Sequence, residues 1–160
     1  MKKTLITLLL CIFATLATNA QGVKRVYDES IDPMEQIDKA LAKARATERF
    51  VVCQVGGNWC KWCLRFADFI TKDEEIAQLV DENFVYIHVN LPERDAEPLQ
   101  ERLGQPSRFG YPVMVVLDTD GKVLHLQDSS FLEEGEGYNQ KKVLRFFKKW
   151  TPSAVHPKQQ

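Results

Sequence analysis

The chain has 160 residues, with 21 basic side chains against 22 acidic ones and a formal charge of −1. That balance, with no basic patch, argues against a nucleic-acid-binding role. One of the four cysteines, Cys11, lies in the first apolar run; the three that remain exclude an even disulfide framework, so the fold must rest on its apolar core. Lys2 and Lys3 precede the apolar stretch Leu5–Leu16, and the small residues Ala17-Thr18-Asn19-Ala20 follow it. This is the layout of a secretory signal peptide over residues 1–20, cleaved near Ala20. The run is shorter than the ~20 apolar residues of a membrane span. Cys11 follows bulky Leu10, where lipoprotein processing would want a small residue. Cleavage leaves 140 residues with 19 basic and 22 acidic side chains, a net charge of −3. That length suits one domain, predicted over 21–151 with a flexible tail at 152–160. The protein is expected to be periplasmic or secreted, in an oxidising compartment.

Asp32-Pro33-Met34-Glu35 has the features of a helix start: Asp32 caps, Pro33 takes the first helical position, and Glu35 completes a capping box. Met34, Ile37, Leu41 and Ala44 then recur at helical spacing up to about Glu48. Phe50–Val55 is apolar and β-branched, stops at Gly56-Gly57, and reads as a buried strand. A helix is predicted from the cysteine segment at 60–63 through Ile70, and a short one over Asp73–Asp81. Phe84–Val89 is the second strand. Asn90–Pro98 is polar with two prolines and reads as a loop, and Leu99–Leu103 as one or two helical turns. Pro112–Leu117 and Lys122–Leu126 are strands joined by the turn Asp118-Thr119-Asp120-Gly121. Glu133–Gly137 reads as a surface loop. Asn139 caps a last helix whose Val143, Phe146, Phe147 and Trp150 form one stripe. Helical crossovers in the first half imply parallel strands, and the later hairpin implies antiparallel pairing. The fold class is therefore α/β, with a mixed central sheet of four or five strands flanked by helices on both faces.

The chemistry concentrates in Trp59-Cys60-Lys61-Trp62-Cys63. Cysteine reacts as the thiolate, and a helix N-terminus favours that anion through its unpaired N–H groups and dipole. With Cys60 opening the helix, Cys63 falls nearly one turn later on the same face. Such a pair can close and reopen a disulfide, the basis of thiol–disulfide exchange. Two other readings of the pair stay open. A fixed structural disulfide is one. Half of a zinc site is the other, but such a site needs four ligands, and the two beyond the pair would have to come from Cys53, His88, His125 and His156, none paired at finger spacing.

From the strand at 50–55, Trp59-Cys60-Lys61-Trp62-Cys63, the helix behind it, Gly110-Tyr111-Pro112 leading into Val113–Leu117, and the closing helix, the chain resembles the thioredoxin-like superfamily over about residues 33–150. It is most similar to extracytoplasmic members such as the thioredoxin-like domain of the transmembrane disulfide reductases; Phe84 and the Asp73–Asp81 helix fit that subgroup. The resemblance implies that Cys60 is the nucleophile and that Cys63, more buried, resolves the mixed disulfide. It implies that Pro112 is the cis-proline facing the pair, its plainer role being the first residue of a strand, and that Tyr111, Trp59 and Trp62 shape a substrate-docking rim, packing being the plainer role of these three. Lys61, within the dipeptide that tunes the redox potential, is expected to stabilise the thiolate and hence the reduced form, its plainer role being a solvated charge.

No cofactor beyond the redox-active Cys60–Cys63 disulfide and no metal is implied. The expected partners are disulfide-bearing protein substrates and a membrane or periplasmic electron-transfer protein as reductant. The leading expectation is a protein thiol–disulfide oxidoreductase, with the reducing direction favoured from Lys61 and the subgroup. The alternative is a non-catalytic thioredoxin-fold module that holds a client, its cysteines a structural disulfide or metal hook. Gln54 departs from the family, standing where many thioredoxins place a buried aspartate, with Asp68, Glu74 or water as substitutes. Gly56-Gly57-Asn58 also replaces the usual aromatic-containing turn. Cys53 is expected in the core, His88 as a satisfied structural residue, and the acidic run 133–136 in solvent.

Overall fold

The computed structural model describes residues 25–94 and 96–157. The predicted signal segment 1–20, its cleavage point at Ala20 and the tail residues 158–160 lie outside the described residues. The first helix, α1 (Pro33–Thr47), starts as expected: Asp32 Oδ1 accepts from the Glu35 N–H at 2.9 Å. The capping box is only half formed, because the Glu35 carboxylate pairs at 2.7 Å with Lys39 one turn on. Ile37, Ala40, Leu41 and Ala44 are the buried stripe.

Strand β1 (Phe50–Gly56) is buried throughout. Its period-two alternation splits the core into two layers. Val51, Cys53 and Val55 face α1, together with Leu99 and Leu103. Phe50 and Val52 face α2 (Lys61–Lys72), α3 (Glu74–Asn83) and the last long helix, α5 (Gln140–Lys149). Asp73 divides α2 from α3: its N–H donates to the Phe69 carbonyl, and its Oδ1 accepts from the Ile76 N–H at 3.0 Å. β2 (Phe84–Asn90) returns parallel to β1, then come α4 (Glu97–Arg102), β3 (Val113–Leu117) and β4 (Val123–Asp128). The four-stranded sheet has the order β2-β1-β3-β4, with both later pairings antiparallel. Its central strands β1 and β3 carry no exposed residue.

Two segments depart from the sequence expectation. The predicted loop at Glu133–Gly137 contains a miniature hairpin, β5 (Glu133–Glu134) with β6 (Gly137–Tyr138). Each strand is two residues long and mostly charged or glycine, so no alternation announces it. It is held from outside: Lys142 Nζ donates to the Glu133 carbonyl at 2.7 Å, and Tyr138 is buried in the core. After α5 (Gln140–Lys149), the predicted frayed tail forms one helical turn, α6 (Pro152–Val155), because Thr151 caps it and Pro152 sits at its first position. Trp150, the last residue of the predicted stripe, is half-buried and stacks on His125 with ring centroids 4.5 Å apart.

Candidate active site

Cys60 is the N-cap of α2, and the Cys63 N–H donates to Cys60 Sγ at 3.1 Å. A sulfur in that position sees an unpaired helix N–H and the positive end of the dipole, which favours its thiolate. The two cysteines form a disulfide, with Cα atoms 5.2 Å apart. Cys63 is fully buried, whereas Cys60 keeps 8% of its surface in solvent. An incoming sulfur therefore reaches Cys60 first.

The predicted rim residues divide. Trp59 is 64% exposed, and its ring meets Tyr111 edge-on at 5.5 Å. Gly57 makes that pose possible, since a Cβ there would collide with the indole. Trp62 is less a rim than a wall: it is half-buried against Tyr138, with the Arg65 guanidinium 5.0 Å above its ring. Tyr138 also donates to the Trp62 carbonyl at 3.2 Å. The Tyr111–Pro112 bond is cis, and Pro112 is buried just before Val113, which pairs with Val55. That register sets the 110–112 segment beside Gly56 at the end of β1, and Tyr111 packs against the cysteine cluster. Lys61 is exposed at the start of α2.

Beneath the disulfide, Gln54 is fully buried and fully bonded. Its Nε2 donates to Tyr27 Oη at 2.5 Å and to the Cys63 carbonyl at 3.0 Å, and its Oε1 accepts from Tyr86 Oη at 2.7 Å. Neither acidic substitute joins this group: Asp68 pairs with Lys72 on the surface of α2, and Glu74 is exposed in the first turn of α3. Cys53, next to Gln54 in the strand, points to the α1 side of the sheet. Burial pushes its thiol up to about 12, so it takes no part in exchange chemistry near neutrality.

Tyr27 and Tyr86 went unrecognised in the sequence, and Asn58 was marked there only as part of a changed turn. Tyr27 packs directly on Cys60 and Cys63. Asn58 clamps the segment that carries it: Asn58 Oδ1 accepts from the N–H groups of Val26 and Tyr27, and Asn58 Nδ2 donates to the Tyr27 carbonyl at 2.8 Å. Tyr86 shares the Gln54 face because Val52 pairs with Tyr86 and Gln54 with His88 in parallel register. That register was the available signal for Tyr86; no local pattern marks Tyr27.

His88 corrects an expectation. Its ring lies edge-on to Tyr27 and Tyr86, both at 5.4 Å, and its Nε2 is buried with no hydrogen-bond partner among the described residues. The aromatic walls offer contact but no acceptor, so burial holds its pKa down to about 4 against the ordinary 6.5. A depressed basic group means that the unfolded chain takes up the proton first as the pH falls. His88 therefore leaves stability intact above about 6.5 and costs stability as the pH drops toward 4, in total roughly 3 kcal/mol. Urea unfolding at pH 7.5 and 4.5 should show this loss in the wild type and a flatter profile in His88→Phe. An unchanged slope in the variant would remove His88 as the cause.

The other histidines lie elsewhere: His125 on Trp150 and His156 against Phe50. Among the described residues, no group of three or more His, Cys, Asp or Glu is placed to hold a metal ion.

The chain is similar to known proteins. The family model described as Thioredox_DsbH, protein of unknown function (DUF255), matches residues 16–153. A 75-residue stretch is 27% identical to the disulfide bond reductase DsbH of Chlamydia pneumoniae, covering 43% of this chain and 45% of that protein, so the match spans under half of that curated relative. Among solved structures, the disulphide isomerase from Xylella fastidiosa Temecula1 is similar with a TM-score of 0.66 and 27% identity, over 77% of this chain and 94% of that one. The oxidised C-terminal domain of Neisseria meningitidis DsbD shares the fold, with a TM-score of 0.52 and 21% identity over 73% of this chain and 95% of that one. The four-stranded mixed sheet with helices on both faces is a thioredoxin fold, and the chain belongs to the Thioredox_DsbH family.

Proposed function

We propose that this protein is a thiol–disulfide oxidoreductase that reduces disulfides in proteins outside the cytoplasm. One observation carries the reading: Cys60 caps α2 and accepts from the Cys63 N–H, while the sulfur behind it is fully buried. In the dithiol form the Cys60 thiolate attacks a substrate disulfide and forms a mixed disulfide. Cys63 then attacks Cys60, closing the Cys60–Cys63 bond and releasing the reduced substrate. Exposed Trp59, with half-buried Tyr111, offers the apolar surface on which an extended substrate segment docks, the buried cis-Pro112 presents its main chain to that segment, and Trp62 stiffens the wall behind it. The cysteine pair is its own redox group, so no added cofactor is required, and an electron-transfer protein must return it to the dithiol.

The reducing direction draws its support from the relative named a disulfide bond reductase and from the likeness to the DsbD domain. Lys61 does not add to it. Stabilising the thiolate favours the dithiol, which makes the disulfide more oxidising, and an exposed charge contributes under ~1 kcal/mol. The extracytoplasmic placement draws on the signal-like segment 1–20. No helix among the described residues is long and apolar enough to cross a membrane.

Reduction of insulin disulfides tests the reading against a client-holding module with an inert disulfide. Wild type should catalyse it and Cys60→Ser should not; equal rates in the two would end the enzymatic reading. A potential for the Cys60–Cys63 couple nearer about −270 mV than about −120 mV would support the reducing direction, and the reverse would assign an oxidant.

A further inference from the structure

We infer that Tyr27 donates a hydrogen bond to the Cys63 sulfur once the disulfide opens, serving the resolving thiolate in a site where Gln54 offers no ionisable group. The inference rests on the exchange chemistry proposed above.

The hydrogen inventory leads to it. The Cys63 carbonyl can only accept, so it fixes the Gln54 amide with Nε2 toward Cys63 and Tyr27 and Oε1 toward Tyr86. Both Nε2 hydrogens are then committed. Tyr27 Oη is an acceptor toward Gln54 and keeps its own hydrogen, for which the described residues provide no other acceptor. A buried hydroxyl hydrogen without a partner calls for one. A group beside it that gains acceptor strength during the reaction is the Cys63 sulfur. A single methyl group placed on Gly56 would collide with that sulfur and come within 3.1 Å of Tyr27 Oη, so the two atoms border one small gap. Glycine at 56 keeps the gap open. In the oxidised form the sulfur is tied to Cys60; reduction leaves it free to turn toward the hydroxyl.

The donor is held in place from the main chain by Asn58, on the turn just before the cysteines. The other titratable groups around it are Cys60, Tyr86, Tyr111, Tyr138 and His88, with Lys61 at the exposed edge. His88 is uncharged near neutrality. Burial raises the Tyr27 phenol above its ordinary range, so it is a donor that keeps its proton and not a base. In the step it serves, Cys63 loses its proton to solvent and its thiolate attacks the Cys60 sulfur of the mixed disulfide. The Cys60–Cys63 bond forms and the Cys60–substrate bond breaks. The electron pair leaves on the substrate sulfur, which takes a proton from solvent.

The test titrates Cys63 in a Cys60→Ser background, where Cys53 is silent on the other face of the sheet. Thiolate absorbance is followed against pH with and without Tyr27→Phe. Loss of the hydroxyl should raise the Cys63 pKa by about one unit, or about tenfold less thiolate below it. An unchanged pKa in a folded Tyr27→Phe variant overturns the assignment. If that variant does not fold, the Tyr27 hydroxyl proton in the wild type decides by NMR. It should move downfield on reduction of the disulfide, and a resonance indifferent to reduction overturns the proposal. Neither readout needs turnover, so failure of the insulin assay would count against the oxidoreductase reading alone.

Discussion

Cys63→Ser is expected to arrest the cycle at the mixed disulfide and to accumulate partner proteins bonded through Cys60. The geometry sets the size of the effect. Cys63 lies behind Cys60 in the first turn of α2, with Cα atoms 5.2 Å apart. Well-oriented intramolecular attack corresponds to an effective concentration of about 10⁵ M or more. An external thiol at millimolar concentration is a poor replacement, so release should slow by at least about 10³-fold. Cys53 cannot stand in, since the sheet separates it from the site. Single-turnover decay of a mixed disulfide with a model peptide, followed by mass spectrometry, measures the rate directly. Decay at the wild-type rate would sink the two-cysteine mechanism, and an envelope extract with no trapped partners would count against protein substrates.

Gln54→Leu should cost the most stability of any single change at the site, on the order of 3–5 kcal/mol. The side chain is fully buried and serves three partners. Leucine fills nearly the same volume, so little of the loss comes from a cavity. Instead Tyr86 Oη loses its acceptor, and Tyr27 Oη and the Cys63 carbonyl lose a donor, at about 1–3 kcal/mol per stranded group. The triple variant Gln54→Leu, Tyr27→Phe, Tyr86→Phe removes most of the stranded groups together. It should recover much of the loss, because an apolar replacement of both partners of a bond is far cheaper than that of one. Urea denaturation of the single and triple variants gives both numbers. A triple variant no more stable than Gln54→Leu would show that the three side chains do not act as a unit. The same arrangement changes the meaning of Gln54: a neutral hydrogen-bond network, not a gap, stands where the resemblance led one to look for a buried acid.

What was legible in the sequence has a common cause. Helix starts at Asp32, Asp73 and Asn139 depend on a side chain bonding its own first turn, and the buried strands announce themselves by branched apolar residues. The Cys60–Cys63 spacing falls in the same class, since one helical turn fixes it. The short hairpin at 133–138 and the turn at Pro152–Val155 were missed because distant contacts hold the first, and a capping threonine next to a proline is a weak signal for the second.

The sequence by itself determined the layer order, the helix that carries the two thiols and the residue that lacks a charge at position 54. All of these rest on neighbours in the chain. Only the tertiary structure decided which groups surround Cys63. Tyr27, Asn58 and Tyr86 lie 36, 5 and 23 residues from it, and they meet through a main-chain clamp and a strand register. It also decided that His88 is buried without a partner and that Trp62 is a wall while Trp59 is a rim. Burial and the orientation of a hydrogen are properties of what packs from all sides, and no local pattern along the chain encodes them.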